Sequence, residues 1–194
     1  MIVAERLISG NNKSSKPMLN GFRQLGIEVA LFPVPLVSEL SLQGEEKGKV
    51  HGNDHLDRVS CLLFGRDGKR HLLIESGICT CEFINPNDKK KDDIRVLDPK
   101  ESLGRIEEMC KGFGIKLHCI DGTTVPYALN IPQFPDGTVT ISGGEESLFE
   151  TVAGIVGKEK VISTRIPILF LPLLARAGTR CLVNAMPEAL AKNV

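Results

Sequence analysis

Aromatic residues are scarce in this chain, which has no Trp, one Tyr and eight Phe among 194 residues. Proteins that hold single-stranded nucleic acid stack bases on aromatic side chains, so this composition disfavours that class. An excess of one charge is also missing, because 24 Lys and Arg balance 24 Asp and Glu. A protein that neutralises many phosphates carries a basic excess, so nucleic acid is not expected as a main partner.

Long hydrophobic runs are absent as well. The longest apolar stretch, residues 166–175, contains two prolines and falls short of the ~20 residues that a membrane-spanning helix needs. The first residues carry no basic segment followed by an apolar one, so the sequence predicts neither a secretory signal nor a membrane partner. The six cysteines are therefore expected to be reduced thiols in a cytoplasmic protein.

What the chain does contain is a helix-to-strand passage that recurs in residues 17–34, 101–121 and 145–166. In each copy a helical apolar pattern stops at a glycine suited to a left-handed helix end. Apolar residues at strand spacing follow that glycine. With 42% hydrophobic and 25% charged residues, the sequence predicts an α/β protein with a real core.

A β-hairpin is predicted before the second and third helices. Residues 59–64 and 71–76 flank Asp67-Gly68, and residues 128–134 and 138–142 flank Asp136-Gly137. Asp-Gly between two strand-like runs favours a tight hairpin turn. The repeating unit is thus strand, turn, strand, helix, strand, which is typical of a ring or a stacked array.

The repeat divides the chain, predicted as a single partial domain over residues 1–194, into modules at roughly 1–58, 59–123 and 124–194. The first module starts at its second strand, residues 2–8, so we expect either a fragment of a longer protein or a gene that starts inside a module. Two polar segments, residues 38–53 and 82–99, interrupt the repeat. Their composition predicts solvated loops.

Two short segments carry residues suited to catalysis. In His55-Leu56-Asp57, alternation along an extended chain would turn the imidazole and the carboxylate to one face. Near the C-terminus Arg180 precedes Cys181, and a neighbouring guanidinium favours the thiolate. A polar loop and a small buried hydrophobe are the plain structural alternatives. Taken together, the distant Cys and His fit a nucleophile with its acid and base.

Four segments resemble the pentein, or guanidino-group-modifying, superfamily of arginine deiminases, dimethylarginine dimethylaminohydrolases, agmatine deiminases and amidinotransferases. They occur in the family's order and cover nearly the whole chain. They are ISGNN at residues 8–12, DHLDRVSCLL at 54–63, YALNIPQFPDGTVTISG at 127–143 and AGTRCLVNAMPEA at 177–189. The resemblance implies a pentein-like α/β propeller of ββαβ modules, of which this chain would supply about three of five.

The resemblance also implies roles for four residues. Cys181 would attack the guanidinium carbon, and His55 would serve as general acid and then base. Asp57 would pair with guanidinium N–H groups, and Arg180 would contact a substrate carboxylate or lower the pKa of Cys181. The implied partner is a small guanidino compound such as arginine or a derivative, with no cofactor and no metal.

The chain departs from the family pattern at two points. Two acidic motifs that the family carries upstream have no counterpart in it, and Asn11 stands where the family often has Arg. Three interpretations follow: an amidinohydrolase, an amidinotransferase, or an inactive truncated pentein that acts as a binding or assembly module. An incomplete ring leaves open sheet edges, so a homo-oligomer is one expected way to cover them.

Overall fold

The computed structural model of the chain describes residues 1–4, 15–37, 51–52, 56, 59–83, 94–121, 128–142 and 146–164. Helices and strands are mixed along these residues, so the protein is α/β, as predicted. In chain order the elements are β1 Ile2–Ala4, α1 Ser15–Gln24, β2 Ala30–Phe32, β3 Val34–Val37, β4 His51–Gly52, β5 Ser60–Phe64, β6 Arg70–Glu75, β7 Thr80–Phe83, β8 Ile94–Val96, α2 Pro99–Gly112, β9 Ile115–Ile120, β10 Val139–Ser142, α3 Glu146–Val156, a 3-10 turn Lys158–Lys160 and β11 Val161–Thr164.

The three predicted helix-to-strand passages are confirmed. Each helix connects two strands that pair in parallel: β1 with β2, β6 with β9, and β10 with β11. Gly26 and Gly114 follow α1 and α2 at φ 70° and 61°, a left-handed conformation that ends a helix at little cost only for glycine. At its other end α2 begins with Asp98, whose carboxylate accepts from the Glu101 amide at 2.7 Å, and with Pro99 at the first helical position.

The first predicted hairpin is also confirmed. Strands β5 and β6 pair antiparallel from Ser60 opposite Ile74 to Phe64 opposite Arg70. Gly68 adopts φ 72° in the turn between them, as a tight turn with Asp-Gly requires. Since β9 adds to β6 in parallel, this unit has the sheet order β5-β6-β9 with α2 between its last two strands.

The second predicted hairpin is only partly correct. Gly137 makes the turn at φ 86°, and the Phe134 amide donates to the Thr138 carbonyl at 2.8 Å. However, the first predicted strand, residues 128–134, pairs with β10 only through an isolated bridge from Gln133 to Val139. Prolines at 132 and 135 lack the backbone N–H that a ladder needs, which explains why this arm does not form a full strand.

The prediction of two solvated loops is wrong where those segments border the described residues. Residues 51–52 form β4, which pairs with β3, and β7 and β8 form an antiparallel pair that includes residues 82–83 and 94–96. Glu82 lies opposite Arg95, and Arg95 Nε donates to Glu82 Oε1 at 2.7 Å. Two of the charged residues whose presence suggests a loop therefore form an ion pair across two strands. The Lys-Asp run at residues 88–93 lies outside the described residues.

The β5-β6-β9 sheet buries apolar side chains on both faces. Leu72 and Leu73 are neighbours on β6 and both are buried, but alternation turns them to opposite faces. Leu73 lies in what we call the α3 cluster, and Leu72 in the α2 cluster. The α3 cluster comprises Cys61, Leu63, Leu73, Ile120, Ala128, Leu129, Ile131, Val139, Ile141, Leu148, Val152, Ile155 and Val156. The α2 cluster comprises Phe32, Val59, Leu72, Ile74, Ile78, Ile106, Cys110 and Ile115.

Polar contacts also join successive units. The Gln133 side chain accepts from the Phe64 amide at 2.8 Å and donates to the Phe64 carbonyl at 2.9 Å, as a paired strand would. The Arg66 amide, in the β5–β6 turn, donates to the Ile155 carbonyl near the end of α3 at 3.0 Å. Within the second unit, Arg70 donates to the Phe113 carbonyl at 2.6 Å. The second unit is thus fixed to the third by hydrogen bonds as well as by apolar packing.

Candidate functional site

The four residues predicted from the sequence to form the active site lie outside the described residues. They are His55 and Asp57, on either side of Leu56, and Arg180 and Cys181 in the part of the chain after residue 164. Their roles stay predictions. The structure does describe the backbone that enters β5 directly after the His55-Leu56-Asp57 segment.

Leu56 is anchored to the start of β5. Its carbonyl accepts from the Val59 amide at 3.1 Å and from the Ser60 hydroxyl at 2.9 Å. Its side chain is half-buried against the α2 cluster, and Ser60 is buried. The residue between the two predicted catalytic side chains is therefore held at the end of the sheet where β5 begins and β6 ends.

A second candidate site lies at the opposite end of the same sheet. We call it the imidazole cluster; it consists of Asp67 in the β5–β6 turn, His71 on β6, and Lys116 and His118 on β9. His71 Nδ1 lies 2.9 Å from His118 Nε2, and His71 Nε2 lies 3.0 Å from Asp67 Oδ1. Lys116 Nζ donates to Asp67 Oδ2 at 2.7 Å. Four ionisable side chains are thus joined in one line.

The two imidazole rings meet edge to edge. Their centroids are 5.1 Å apart and their planes differ by 24°. Because the joining nitrogens are only 2.9 Å apart, most of the separation between centroids runs along the N···N line. The contact between the rings is therefore a hydrogen bond rather than face-to-face stacking.

Asp67 fixes the proton positions along this line. The Lys116 and His71 side chains and the Lys69 backbone amide donate hydrogen bonds that hold the pKa of the Asp67 carboxyl far below its usual range. An ionised carboxylate only accepts hydrogen bonds, so the network assigns the hydrogen of His71 to Nε2. In the neutral ring Nδ1 is then an acceptor, and His118 donates to it through Nε2–H.

The two histidines sit in different surroundings. His71 is only 5% exposed, and both of its ring nitrogens have hydrogen-bond partners. His118 is half-buried, and burial lowers its pKa, with further lowering from the nearby His71 and from the positive charge of Lys116. The environment thus favours the neutral ring at His118.

Gly65 makes the close packing around His71 possible. A Cβ atom at this position would lie 2.5 Å from His71 Nε2 and 2.8 Å from Asp67 Oδ1. Real Cβ atoms do not approach other atoms this closely, so any side chain would displace the imidazole or the carboxylate. A glycine before the turn is therefore needed for the hydrogen bond between Asp67 and His71.

The described residues hold no group of three or more His, Cys, Asp and Glu side chains arranged for a metal ion. In the imidazole cluster both His71 nitrogens already make hydrogen bonds, which leaves neither for a metal. The five described cysteines are reduced thiols. Burial, with a smaller contribution from Glu107, raises the pKa of Cys110 to about 11, so this thiol is a poor nucleophile at neutral pH.

The imidazole cluster was not predicted from the sequence. His71 and His118 are 47 positions apart in the sequence, and Asp67 and Lys116 are 49 apart. Nothing in the local pattern around either histidine points to the other. The available signal was the predicted strand, turn, strand, helix, strand unit, which favours a second hairpin strand, β6, beside the strand after the helix, β9. The register that sets His71 opposite Lys116 comes from packing.

No family model, curated protein or solved structure matches the chain. None of the described helices has the length and apolar character required to cross a bilayer.

Proposed function

We propose that this chain acts on the guanidinium group of a small arginine-like compound, with Cys181 as nucleophile and His55 as general acid and base. The observation that carries the proposal is the unit formed by β5, β6, α2 and β9. Its order is strand, strand, helix, strand, with the β7–β8 pair inserted between β6 and α2. This order resembles the ββαβ module of the pentein fold, and the His55-Leu56-Asp57 segment precedes its first strand.

The repetition of strand pairing supports the same proposal. In all three passages a helix connects two parallel strands, and the second and third passages pack on each other through the α3 cluster. Modules that pack side by side in this way are what a ring of ββαβ units requires. Closure into a pentein-like propeller, and the module limits at 58 and 123, are part of the proposal.

The anchoring of Leu56 is the second supporting feature. Two hydrogen bonds hold its carbonyl, and its side chain packs on the α2 cluster. Catalytic groups work best when rigid elements hold them in position. A fixed residue between His55 and Asp57 is a suitable support for both.

The proposed reaction proceeds in two displacements. The Cys181 thiolate forms a C–S bond to the guanidinium carbon, the C–N bond to the leaving amine breaks, and His55 gives that amine a proton. His55 then takes a proton from water, whose oxygen bonds to the same carbon as the C–S bond breaks. The products are a ureido compound and ammonia or an amine, and the Cys181 thiolate is restored.

Asp57 and Arg180 would act when the substrate binds and during these two displacements. Asp57 would accept N–H hydrogen bonds from the substrate, which fixes the guanidinium plane and balances its charge. Arg180, next to Cys181 in sequence, would favour the thiolate or contact a substrate carboxylate. If an amine took the place of water, the same residues would transfer an amidino group.

The test is a panel of guanidines incubated with the purified chain: free arginine, a methylated arginine, agmatine and a peptidyl arginine. The readout is ureido product. Cys181→Ala should abolish it, and His55→Ala should lower the rate by about 10²–10⁴-fold. Cys119→Ala is the matched control, because Cys119 is an exposed thiol on β9, and it should leave the rate unchanged.

Two outcomes would overturn the proposal in different ways. Product that appears only after an acceptor amine is added would identify an amidinotransferase. No product from any guanidine in a folded sample would contradict the enzyme interpretation and favour a binding or assembly module.

A further inference from the structure

The imidazole cluster can hold only a limited number of protons. With Asp67 ionised and His71 carrying a hydrogen on Nε2, the contact between the two rings contains one hydrogen in one of two arrangements. In the neutral pair His118 donates to His71 Nδ1. One added proton fits the same contact, because a hydrogen on His71 Nδ1 can donate to His118 Nε2 once the neutral ring changes tautomer.

A second added proton is incompatible with the observed geometry. Both nitrogens in the contact would then carry hydrogens that face each other across 2.9 Å. The hydrogen bond would be lost, and two cations would lie side by side in a site where His71 is only 5% exposed. Burying paired like charges is strongly unfavourable, so the rings would have to separate.

No other described charge relieves this repulsion. Asp67 of the turn already shares its carboxylate between His71 and Lys116, and Lys116 is itself a cation. Strand β5 has no charged side chain, and α3 has only Glu146 and Glu150, both exposed and in its first half, whereas the turn contacts the carbonyl of Ile155.

Of the remaining charges nearby, Arg70, next to His71 on β6, is directed to the Phe113 carbonyl and to Glu28. In the 3-10 turn Lys160 pairs with Asp136, and the Glu159 carboxylate lies beside Gly157.

Opening of the imidazole cluster would affect the β5–β6 turn, β9 and α3. It ties the β5–β6 turn to β9, and that turn is bonded to the end of α3 through Arg66 and Ile155. It is at the end of the sheet away from the Leu56 anchor. Its behaviour therefore does not depend on the proposed catalytic function.

We propose that the imidazole cluster is a pH-sensitive contact that holds the β5–β6 turn against β9 while His71 and His118 share no more than one added proton, and that opens when both rings are protonated. Mild acid thereby loosens the junction between the second and third units.

The direct measurement is nitrogen NMR of the histidine rings as pH is lowered from 7.5 to 4.5. At pH 7.5 a coupling across the hydrogen bond should connect His71 Nδ1 and His118 Nε2. The coupling should disappear once both rings are protonated, because the contact then has two donors and no acceptor. His51→Gln, a change at a histidine outside the cluster, should leave the coupling in place. Absence of the coupling at pH 7.5, or its survival after both rings are cationic, would overturn the proposal.

Urea unfolding followed by circular dichroism gives an independent readout. Well below the ordinary histidine pKa of about 6.5 the unfolded chain protonates both rings. The closed contact admits at most one added proton, so the unfolding constant should rise by up to about tenfold per pH unit from this source. In His118→Gln that contribution should be missing. Equal pH slopes for the wild-type chain and His118→Gln would contradict the proposal.

A charge variant covers the case in which His118→Gln does not fold. Lys116→Gln removes a cation beside the cluster, so the second proton should enter, and the coupling should be lost, at a higher pH than in the wild type. Lys111→Gln, at the end of α2, is the matched control and should not shift it. An unchanged midpoint in Lys116→Gln would count against the proposal.

Discussion

Leu72 and Leu73 allow the packing of the central sheet to be tested with a matched pair of substitutions. They are the same residue type at successive positions of β6, and they are 1% and 0% exposed. Leu73 contacts the α3 cluster, which contains Leu148 and Val152, and Leu72 contacts the α2 cluster. Each change to Ala should lower the free energy of unfolding by about 3–5 kcal/mol, because a buried Leu side chain is lost and a cavity remains.

The two variants should differ in where the structure loosens. Hydrogen exchange followed by mass spectrometry should show faster exchange in α3 for Leu73→Ala and in α2 for Leu72→Ala, with stability measured by urea unfolding. Leu73→Met, which conserves volume, should cost less than about 1.5 kcal/mol. A loss below about 1 kcal/mol for Leu73→Ala, or faster exchange in α2 rather than α3, would refute the assignment of the two faces.

Three further outcomes are expected. Gln133→Ala should lower the free energy of unfolding by about 1–3 kcal/mol, because two hydrogen bonds to the Phe64 backbone are lost. Urea unfolding measures this change. An unchanged free energy of unfolding would contradict the prediction and show that water replaces the side-chain amide. Asp67→Asn should weaken the acid sensitivity of stability: the folded-state pKa of this carboxyl lies below its unfolded value of 3.8, so its contribution is present above that pH and is lost on acidification. Unfolding measured from pH 5 to 2 should therefore change less in the variant, and equal curves would contradict the inferred ionisation. At pH 8 iodoacetamide should label the exposed Cys119 well before the buried Cys110, as peptide mass spectrometry would show; the reverse order would contradict the burial of Cys110.

Local signals in the sequence were sufficient for much of the fold. Gly26 and Gly114 end helices because only glycine adopts positive φ easily, and Asp67-Gly68 makes a tight turn for the same reason. Such features depend on a few neighbouring residues, so a pattern along the chain can reveal them. The parallel pairing of β6 and β9 followed from the helix between them.

Features that depend on distant partners were not predictable in this way. The polar composition of residues 82–99 predicts a loop, whereas the structure has the strand pair β7–β8 there. The pairing of Glu82 with Arg95 becomes evident only from the register of these strands. Likewise, His71 and His118 meet because a parallel register aligns them, not because of any local motif. Of the predicted site residues, His55 and Asp57 are the nearest in sequence to a described anchor, at Leu56.

The central claim, that Cys181 attacks a guanidinium carbon, is tested most directly by the mass of the intact chain after acid quenching of a reaction with guanidine substrates. The account predicts a covalent thiouronium adduct that maps to the peptide containing Cys181 and is absent from Cys181→Ala. A folded chain that forms neither this adduct nor any ureido product with any guanidine on the panel would contradict it.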